Sequence, residues 1–474
     1  MTSLTLKTLE AGQRTIGNGA LEALRQGLDG DVLLPGDGGY DEARVIWNAM
    51  IDRRPGAIVR CRSSADVERA VAFAAEHRLL TAIKGGGHNI AGNAVCDGGL
   101  MLELSAMKSV VVDADAETAR VEAGALLADV DAATQAHGLA LPLGINSTTG
   151  IAGLTLGGGY GWLSRKYGLT IDSLSGVDIV TPDGKSRRAS ATEHPELFWA
   201  ICGGGGNFGV VTAFDFALHR LGPEVLSGLV VHPIAAAPAL LRAYRDLATA
   251  MPDELSVWVV MRKAPPLPFL PEEWHGREVL VFAACYAGDM AEGEKALAPL
   301  RALGTPIADV IGPHPYAGWQ QAFDPLLAPG ARNYWKSHNF ETIDDGVIDL
   351  LTEAVGRLPT PECEIFIAQV GGATRRTDPA ATAFAQRDAV FMMNVHTRWQ
   401  EPVDDTRCIA WARELFDRTA TFATGGVYVN FMPEDDTGRV KSAFGASYPR
   451  LAKVKAEVDP ANLLRMNMNI RPAA

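Results

Sequence analysis

Residues 83–94, "IKGGGHNIAGNA", place three successive glycines directly after a short apolar run. Glycines in a row permit positive φ and let a backbone come close to a bulky group. His88 is the side chain of this loop with the most useful chemistry. The stretch therefore predicts a loop that packs against a ligand and presents one imidazole to it.

Two more glycine-rich tracts follow, "LGINSTTGIAGLTLGGGYGWLSRKYG" at 143–168 and "CGGGGNFGVVTAFDFAL" at 202–218. Any one tract could serve tight turns or close helix packing. Three tracts together favour backbone amides that wrap a large anionic cofactor. Gly204, Gly206 and Gly209 fit G-x-G-x-x-G, but the residues after them alternate like a strand, whereas a nicotinamide-binding fingerprint must open a helix.

Composition narrows the class of protein further. The chain has 474 residues and a net charge of −13, which predicts two or three domains and argues against nucleic acid or an anionic membrane as a partner. Six cysteines never form Cys-x-x-Cys, and ten histidines never form His-x-His or His-x-x-x-His, so no metal site is expected. The start lacks a secretory pattern, and we expect a cytoplasmic protein with reduced thiols.

The pattern of predicted helices and strands changes near residue 223. Before it, helical and strand patterns alternate, and "SSADVERAVAFAAEHRLL" predicts an amphipathic helix capped by Ser64. After it, "ELSVWVVMRKAP", "REVLVFAACYAGD", "CEIFIAQVGGA" and "DAVFMMNVHTRW" predict strands of an antiparallel sheet with helices between them. Residues 423–474 match neither part and are short for a domain, so we expect them to return to the first.

Four motifs together are specific enough to indicate a family. "KGGGHNIAG", "STTGIAGLTLGGGYGWLSRKYGLTIDSL", "FWAICGGGGNFGVVT" and the terminal "DPANLLRMNMNIRP" resemble the berberine-bridge-enzyme-like flavoproteins of the vanillyl-alcohol-oxidase superfamily. The resemblance runs in order along nearly the whole chain. It implies an α+β fold with a split FAD domain of the p-cresol-methylhydroxylase type, formed by 1–222 and 423–474. It also implies a substrate domain at 223–422, built on an antiparallel sheet with helices.

The resemblance also implies how the cofactor is held. His88 matches the histidine that family members join covalently to the 8α-methyl carbon of the flavin. Many relatives carry a second, cysteinyl link, but Asn146 stands at that position here, so a mono-covalent FAD is expected. A histidine that often lies near flavin N1 is Leu154 in this chain. The residues assigned to FAD by the resemblance are Lys84, Gly85, Gly86, Gly87, His88, Asn89, Gly92, Gly144, Ser147, Thr148, Thr149, Gly150, Gly153, Gly157, Gly158, Val210, Val211, Asn467 and Asn469.

The catalytic base is harder to assign. The glutamate that follows "GG" in berberine-type members is replaced by Arg375 and Arg376, whereas carbohydrate-oxidising relatives use a tyrosine in a "YVN" motif, which is Tyr428 in "VYVNF". We therefore predict that Tyr428 is the base, although a phenol with a pKa near 10 needs tuning by its surroundings.

The residues that would bind substrate are predicted from strand alternation. Gln369, Asn394 and His396 are candidates for one polar lining of the substrate site, and Trp399, Tyr334 and Trp335 for apolar walls.

The expected enzyme is an FAD-dependent oxidoreductase that acts on CH–OH or CH–N groups. The expected reaction is the transfer of a hydride from an alcohol carbon to flavin N5. The substrate would be a sugar-like or secondary-metabolite molecule, and molecular oxygen would reoxidise the flavin to give hydrogen peroxide. Thr149 holds the position that governs oxygen access in relatives and is small, which favours an oxidase. The alternative is a flavin-binding dehydrogenase, or a catalytically decayed flavoprotein that does not use oxygen. The sequence does not choose between a monomer and a homo-oligomer.

Overall fold

The computed structural model describes residues 4–474. In the first part, helices and strands alternate as the sequence predicts. Its strands are β1 Leu4–Lys7, β2 Gln13–Ile16, β3 Asp31–Leu33, β4 Ala57–Arg60, β5 Thr81–Lys84, β6 Leu100–Glu103, β7 Val110–Asp113, β8 Thr118–Glu122, β9 Leu139–Ala140, β10 Leu174–Val180, β11 Ser186–Ser190, β12 Val210–Ala217 and β13 His219–Arg220. Its helices are α1 Asn18–Gly27, α2 Tyr40–Arg44, α3 Ser64–Glu76, α4 Leu127–Gln135, α5 Ile151–Leu156, α6 Ser164–Tyr167 and α7 Pro195–Gly204.

Two sheets of this part position the glycine tracts. One has the order β3-β4-β6-β5 with β6 parallel to both β4 and β5, and the other has the order β11-β10-β12-β8-β7. The first glycine loop leaves the end of β5 at Lys84, and the third tract leads into β12. The predicted strand after the third tract is therefore confirmed. The cap of α3 is Ser63 and not Ser64, since the Ser63 side chain accepts a hydrogen bond from the Asp66 backbone N–H.

The middle of the chain forms one large antiparallel sheet. Its strands are β14 Glu224–Pro233, β15 Leu255–Lys263, β16 Glu278–Tyr286, β17 Ala308–Asp309, β18 Gly312–Pro315, β19 Arg332–Phe340, β20 Glu364–Gln369 and β21 Phe391–Trp399. They pair in the order β17-β14-β16-β15-β20-β21-β19, and β18 also pairs with β14. The helices are α8 Ala237–Ala248, α9 Met290–Arg301, α10 Tyr316–Gln320, α11 Asp345–Val355, α12 Ala373–Arg376 and α13 Asp405–Thr419.

The two faces of this sheet have different neighbours. Alternate residues such as Val257, Val259 and Ile365 pack in a core shared with α8, α11 and α13. The intervening residues point to the opposite face, because successive strand side chains alternate. That second face is directed towards the glycine tracts of the first part.

The last residues carry α14 Val440–Phe444 and α15 Tyr448–Val458. In "VYVNF", Tyr428 is extended and Val429–Phe431 form a 3₁₀ turn directly after it. From α15, the Lys455 ammonium donates to the Asn207 carbonyl at 2.6 Å. The segment thus packs against the third glycine tract. The exact division at 222 and 422 remains a prediction. Within residues 4–474, no helix has the length and apolar character to cross a membrane.

Candidate active site

A cavity of about 360 Å³ lies between the glycine tracts and the free face of the large sheet. All three tracts reach it, through Gly85–Gly87, Gly150 and Gly205–Gly206, and so does the terminal Asn467. The sheet contributes the opposite wall, with Trp258 and Phe366 among its aromatic residues. One wall is therefore backbone-rich and the other is built from side chains.

The glycine tracts approach each other closely at this wall. A methyl group at Gly86 would collide with the backbone nitrogen of Gly150, so neither position tolerates a side chain without movement. Gly153, by contrast, faces open space. Backbone amides exposed in such a cradle suit a large anionic group, and the residues present therefore fit a dinucleotide cofactor.

His88 lies where the first two tracts meet. Its ring stacks on Trp47, with ring centroids 5.2 Å apart. Burial lowers the pKa of His88 to about 3, so the imidazole is neutral at physiological pH. A neutral imidazole retains a lone pair and is the nucleophilic form.

Two hydroxyl groups orient this imidazole. The Thr148 hydroxyl donates to Asn146 Oδ1 at 2.7 Å, and its oxygen lies 3.0 Å from His88 Nε2. Because the hydroxyl proton is directed to Asn146, Thr148 Oγ accepts from Nε2–H, and this contact sets the tautomer. Nδ1 then carries the lone pair, with Thr149 Oγ at 3.4 Å. The residue at the cysteine position of relatives therefore acts on His88 through Thr148.

Tyr428 is buried at the same cavity. Its phenol oxygen accepts hydrogen bonds from the Gly159 backbone N–H at 3.2 Å and from Asn430 Nδ2 at 3.0 Å. Burial raises the pKa of Tyr428 to about 12, although both donors act in the opposite direction. The rings of Tyr160 and Phe431 stand edge-on to it, with centroids 5.0 Å away in both cases. The phenol is protonated at rest, with two donors placed to stabilise negative charge on its oxygen.

Most of the residues predicted to bind FAD line the cavity, and their role remains a prediction. The lining members are Gly85, Gly86, Gly87, His88, Asn89, Gly144, Thr149, Gly150, Gly153, Val210, Val211 and Asn467. The members outside the lining are Lys84, Gly92, Ser147, Thr148, Gly157, Gly158 and Asn469.

Several of the outlying residues have a structural partner instead. The Lys84 ammonium donates to the Ala43 carbonyl at 2.7 Å, and Ser147 N donates to Asp324 at 2.9 Å.

Of the three polar residues predicted to bind substrate, the structure places two on the cavity-facing side of the sheet. His396 lines the cavity, and Asn394 lies on the same face one row deeper, where its amide has no hydrogen-bond partner within residues 4–474. Gln369 lies on the helix-facing side and donates to the Ala248 carbonyl, so its predicted place beside the other two is wrong. The physical reason is register: Gln369 is opposite Phe391, an odd number of residues from Asn394.

Of the three aromatic residues predicted to form apolar walls of the substrate site, one lines the cavity and two do not. Trp335 lines the cavity. Tyr334 and Trp399 belong to the core on the helix side, and their predicted role as cavity walls is wrong. Arg375 and Arg376 do not line the cavity either, and Arg376 pairs with Asp253 at 2.6 Å.

Two charged residues of the cavity were not predicted from the sequence. Arg262 on β15 and Glu364 on β20 line it, and they lie opposite each other in the strand register. Arg262 lies two residues after Val260 and Glu364 two residues before Phe366, and both of these neighbours face the cavity. The alternation of side chains along each strand could have indicated these two residues. To place them in the cavity, however, one must also know which strands pair, and these strands are far apart in the sequence.

Comparison with known proteins supports a flavoprotein. Residues 55–190 match the family described as "FAD binding domain", and residues 427–471 match "Berberine and berberine like". The two matches contain the first two glycine tracts and the terminal segment. The class of protein is therefore an FAD-dependent oxidoreductase.

Relatives align over almost the full length. The chain is 30% identical to the FAD-linked oxidoreductase YgaK of Bacillus subtilis over 94% of this chain and 97% of that protein. It is 29% identical to the (R)-6-hydroxynicotine oxidase of Paenarthrobacter nicotinovorans over 94% and 97%. A crystal structure of 6-hydroxy-D-nicotine oxidase from Arthrobacter nicotinovorans superposes with a TM-score of 0.85 at 29% identity, over 94% of this chain and 98% of that one. The chain belongs to the berberine-bridge-enzyme-like family of FAD-linked oxidoreductases, and the predicted α+β fold is confirmed.

Proposed function

We propose that this protein is an oxidase that carries FAD on His88 and oxidises an alcohol carbon of a small substrate. The observation that carries the proposal is the neutral, oriented imidazole of His88 in the same cavity as Tyr428. Because Asn146 replaces the cysteine of many relatives, the proposed attachment is mono-covalent. None of the six cysteines lines the cavity, which supports this proposal.

When bound, FAD accepts the hydride from carbon and passes the electrons on to molecular oxygen. The chain's own contribution is to take the proton from the substrate hydroxyl. Tyr428 is our candidate, because Gly159 N–H and Asn430 Nδ2 stabilise its phenolate. A base with a pKa near 12 is a strong acceptor but a rarely ionised one, so substrate binding must bring the hydroxyl into this network. Thr149 lines the cavity, and its small side chain favours access of oxygen to the flavin.

The covalent attachment is tested on the purified protein. We expect a yellow protein whose flavin stays on the polypeptide in acid, and a peptide containing His88 that is heavier by one FAD. His88→Ala should release its flavin on denaturation while retaining the fold. A flavin-bearing cysteine peptide would contradict the mono-covalent attachment, and flavin that washes out of the parent protein would contradict the covalent proposal itself.

The oxidase activity is tested separately, by following the flavin spectrum with a substrate in the absence and presence of air. Rapid return of the oxidised spectrum with formation of hydrogen peroxide is the expected result. A reduced flavin that persists for minutes in air would favour the dehydrogenase alternative.

A further inference from the structure

A row of polar side chains crosses the cavity-facing side of the large sheet. In the strand register, Arg262 is opposite Glu364, Glu364 is opposite His396, and His396 is opposite Trp335. Arg262 Nη1 donates to Glu364 Oε2 at 2.6 Å, and the other carboxylate oxygen lies 3.1 Å from His396 Nδ1. The four side chains line the cavity together.

Two donors of this row have no hydrogen-bond partner within residues 4–474, the Nη2 group of Arg262 and the indole Nε1–H of Trp335. Both oxygens of Glu364 are engaged, and although burial would raise the pKa of Glu364, the attraction of Arg262 and His396 lowers it to about 2, so it stays ionised. Arg262 uses Nη1 for Glu364 and Nε for the Lys263 carbonyl at 3.2 Å. Its Nη2 group makes no hydrogen bond within residues 4–474. The Trp335 N–H is buried, so the free donor of the row that a ligand in the cavity can reach is the cationic Nη2 group of Arg262.

The rest of the sheet wall is apolar. Val231, Val260 and Val281 line it beside Trp258 and Phe366, whose rings stack with centroids 6.0 Å apart. A sugar carries hydroxyls on most carbons, and each buried hydroxyl costs free energy unless it is hydrogen-bonded. This wall has too few polar groups to pair them. It suits a flat apolar ring instead.

The polar row and Tyr428 are separated by one aromatic side chain. The Phe431 ring lies 5.0 Å from the ring of Tyr428, 5.5 Å from that of Trp335 and 5.8 Å from that of Phe366. A ring-containing molecule along this wall therefore meets Tyr428 at one end and the row at the other.

We infer that the substrate is a largely apolar, ring-containing alcohol with a carboxylate or similar acceptor oxygen at the end remote from the reacting carbon, and that Arg262 binds this oxygen. The inference rests on the proposed function in one respect, namely which end of the substrate is oxidised. An N⁺–H···O⁻ hydrogen bond in an apolar cavity is strong enough to select among ligands of equal shape. Arg262 is thus a specificity-determining residue.

Binding of three probes to the flavin-loaded protein in the absence of air tests the inference; the two naphthalene compounds carry no hydroxyl group, and cellobiose represents a sugar. The probes are 2-naphthoate, 2-methylnaphthalene and cellobiose, with the shift of the flavin absorption band as the readout. We expect 2-naphthoate to bind roughly 10–100-fold more tightly than 2-methylnaphthalene, the range of a charged hydrogen bond. Cellobiose should cause no saturable shift. Equal affinities for the two ring compounds, tighter binding of cellobiose, or no binding of 2-naphthoate would each overturn the inference.

Variants assign the effect to Arg262. In Arg262→Met the preference for 2-naphthoate should fall to about twofold or less, with 2-methylnaphthalene binding retained. Because that change leaves Glu364 unpaired, the double variant Arg262→Met with Glu364→Gln provides a charge-balanced version, and it should lose the preference as well. Lys263→Met removes a cation from the next residue of the same strand, whose side chain faces away and pairs with Glu278, and should change nothing.

The failure of this inference is distinguishable from failure of the proposed function. A purified protein without covalent FAD would contradict the proposed attachment. A flavin-loaded protein that keeps its preference in Arg262→Met would contradict only the role of Arg262.

Discussion

At the scale of single residues, the most informative contact joins Thr148 and His88. The Thr148 hydroxyl donates to Asn146, so its oxygen accepts from Nε2–H of His88. Nδ1 is then the ring nitrogen that keeps its lone pair. We expect the flavin link on Nδ1. In Thr148→Val the ring loses this anchor, and the rate of flavin attachment should fall roughly fivefold, the value of one ordinary hydrogen bond. Intact mass of the protein at timed intervals after adding FAD to the flavin-free form measures it.

Thr149→Val is the matched control for this experiment. Its hydroxyl lies 3.4 Å from Nδ1, at the limit of a hydrogen bond, and it is not the group that sets the tautomer. Attachment should therefore slow less than in Thr148→Val. The reverse order would show that Nδ1, and not Nε2, carries the proton.

Tyr428 allows a second prediction at this scale. Tyr428→Phe keeps the ring that packs between Tyr160 and Phe431 but removes the proton acceptor. Flavin content should stay normal, anaerobic flavin reduction by substrate should slow about 10²–10⁴-fold, and reoxidation by oxygen should be unchanged. Tyr334→Phe, which loses a hydroxyl bonded to Asp435 outside the cavity, is the control. Unchanged reduction in Tyr428→Phe would make His396 the next candidate for the base.

At the scale of secondary structure elements, α4 of the first part meets α10 of the middle part at a buried carboxyl. Gln320 Nε2 donates to Asp131 Oδ2 at 3.3 Å, while Oδ1 has no partner within residues 4–474. Burial raises the pKa of Asp131 to about 7. The folded state therefore holds a proton that the unfolded chain releases near pH 4. This contribution to stability is complete below pH 4 and is lost as the pH rises towards 7.

Asp131→Asn removes this pH dependence without changing the shape of the side chain. Relative to the parent protein, we expect the variant to gain about 2–3 kcal/mol in free energy of unfolding between pH 5 and pH 8. Urea unfolding at the two pH values measures the difference. Asp349→Asn, at an exposed carboxylate, serves as the control and should show no such gain. A constant difference across this pH range would mean that Asp131 is ionised in the fold.

At the scale of the whole molecule, a fully buried ion pair within the terminal segment holds that segment against the third glycine tract. Lys455 and Asp459 are both inaccessible to solvent and lie 2.7 Å apart. Lys455 also donates to the carbonyl of Asn207 in the third glycine tract, and Asp459 accepts from the backbone N–H groups of Leu463 and Leu464. The pair thus ties the terminal segment to the first part.

Breaking this pair from one side should be costly. Lys455→Met leaves a buried carboxylate without its cation, and we expect a loss of about 3–5 kcal/mol in stability together with reduced flavin content. Adding Asp459→Asn should recover part of the loss. Urea unfolding and flavin absorbance per protein provide the two readouts. Lys453→Met changes an exposed lysine of the same helix and should have little effect; a similar loss there would rule out the ion pair as the cause.

Much of the first part could be predicted from sequence because its signals are local. Three glycine tracts, the strand after the third and the helix at α3 depend on neighbouring residues, and the structure differs only at the cap, Ser63. The four motifs likewise predicted the family, which the comparisons confirm. The covalent link at His88, the role of Tyr428 and the cytoplasmic location remain predictions.

What the sequence by itself determined is the set of local elements and the FAD family, because period-two alternation and glycine patterns act over a few residues. The tertiary structure alone decided which strand faces meet the cavity. Gln369 and Asn394 are an example, because both lie in strands that the sequence predicted correctly. Whether their side chains share one face of the sheet depends on the register between β20 and β21, which packing on distant helices sets. For the same reason Arg262, Glu364 and His396, which are 134 residues apart at their extremes (396 − 262), form one row only after the sheet has assembled.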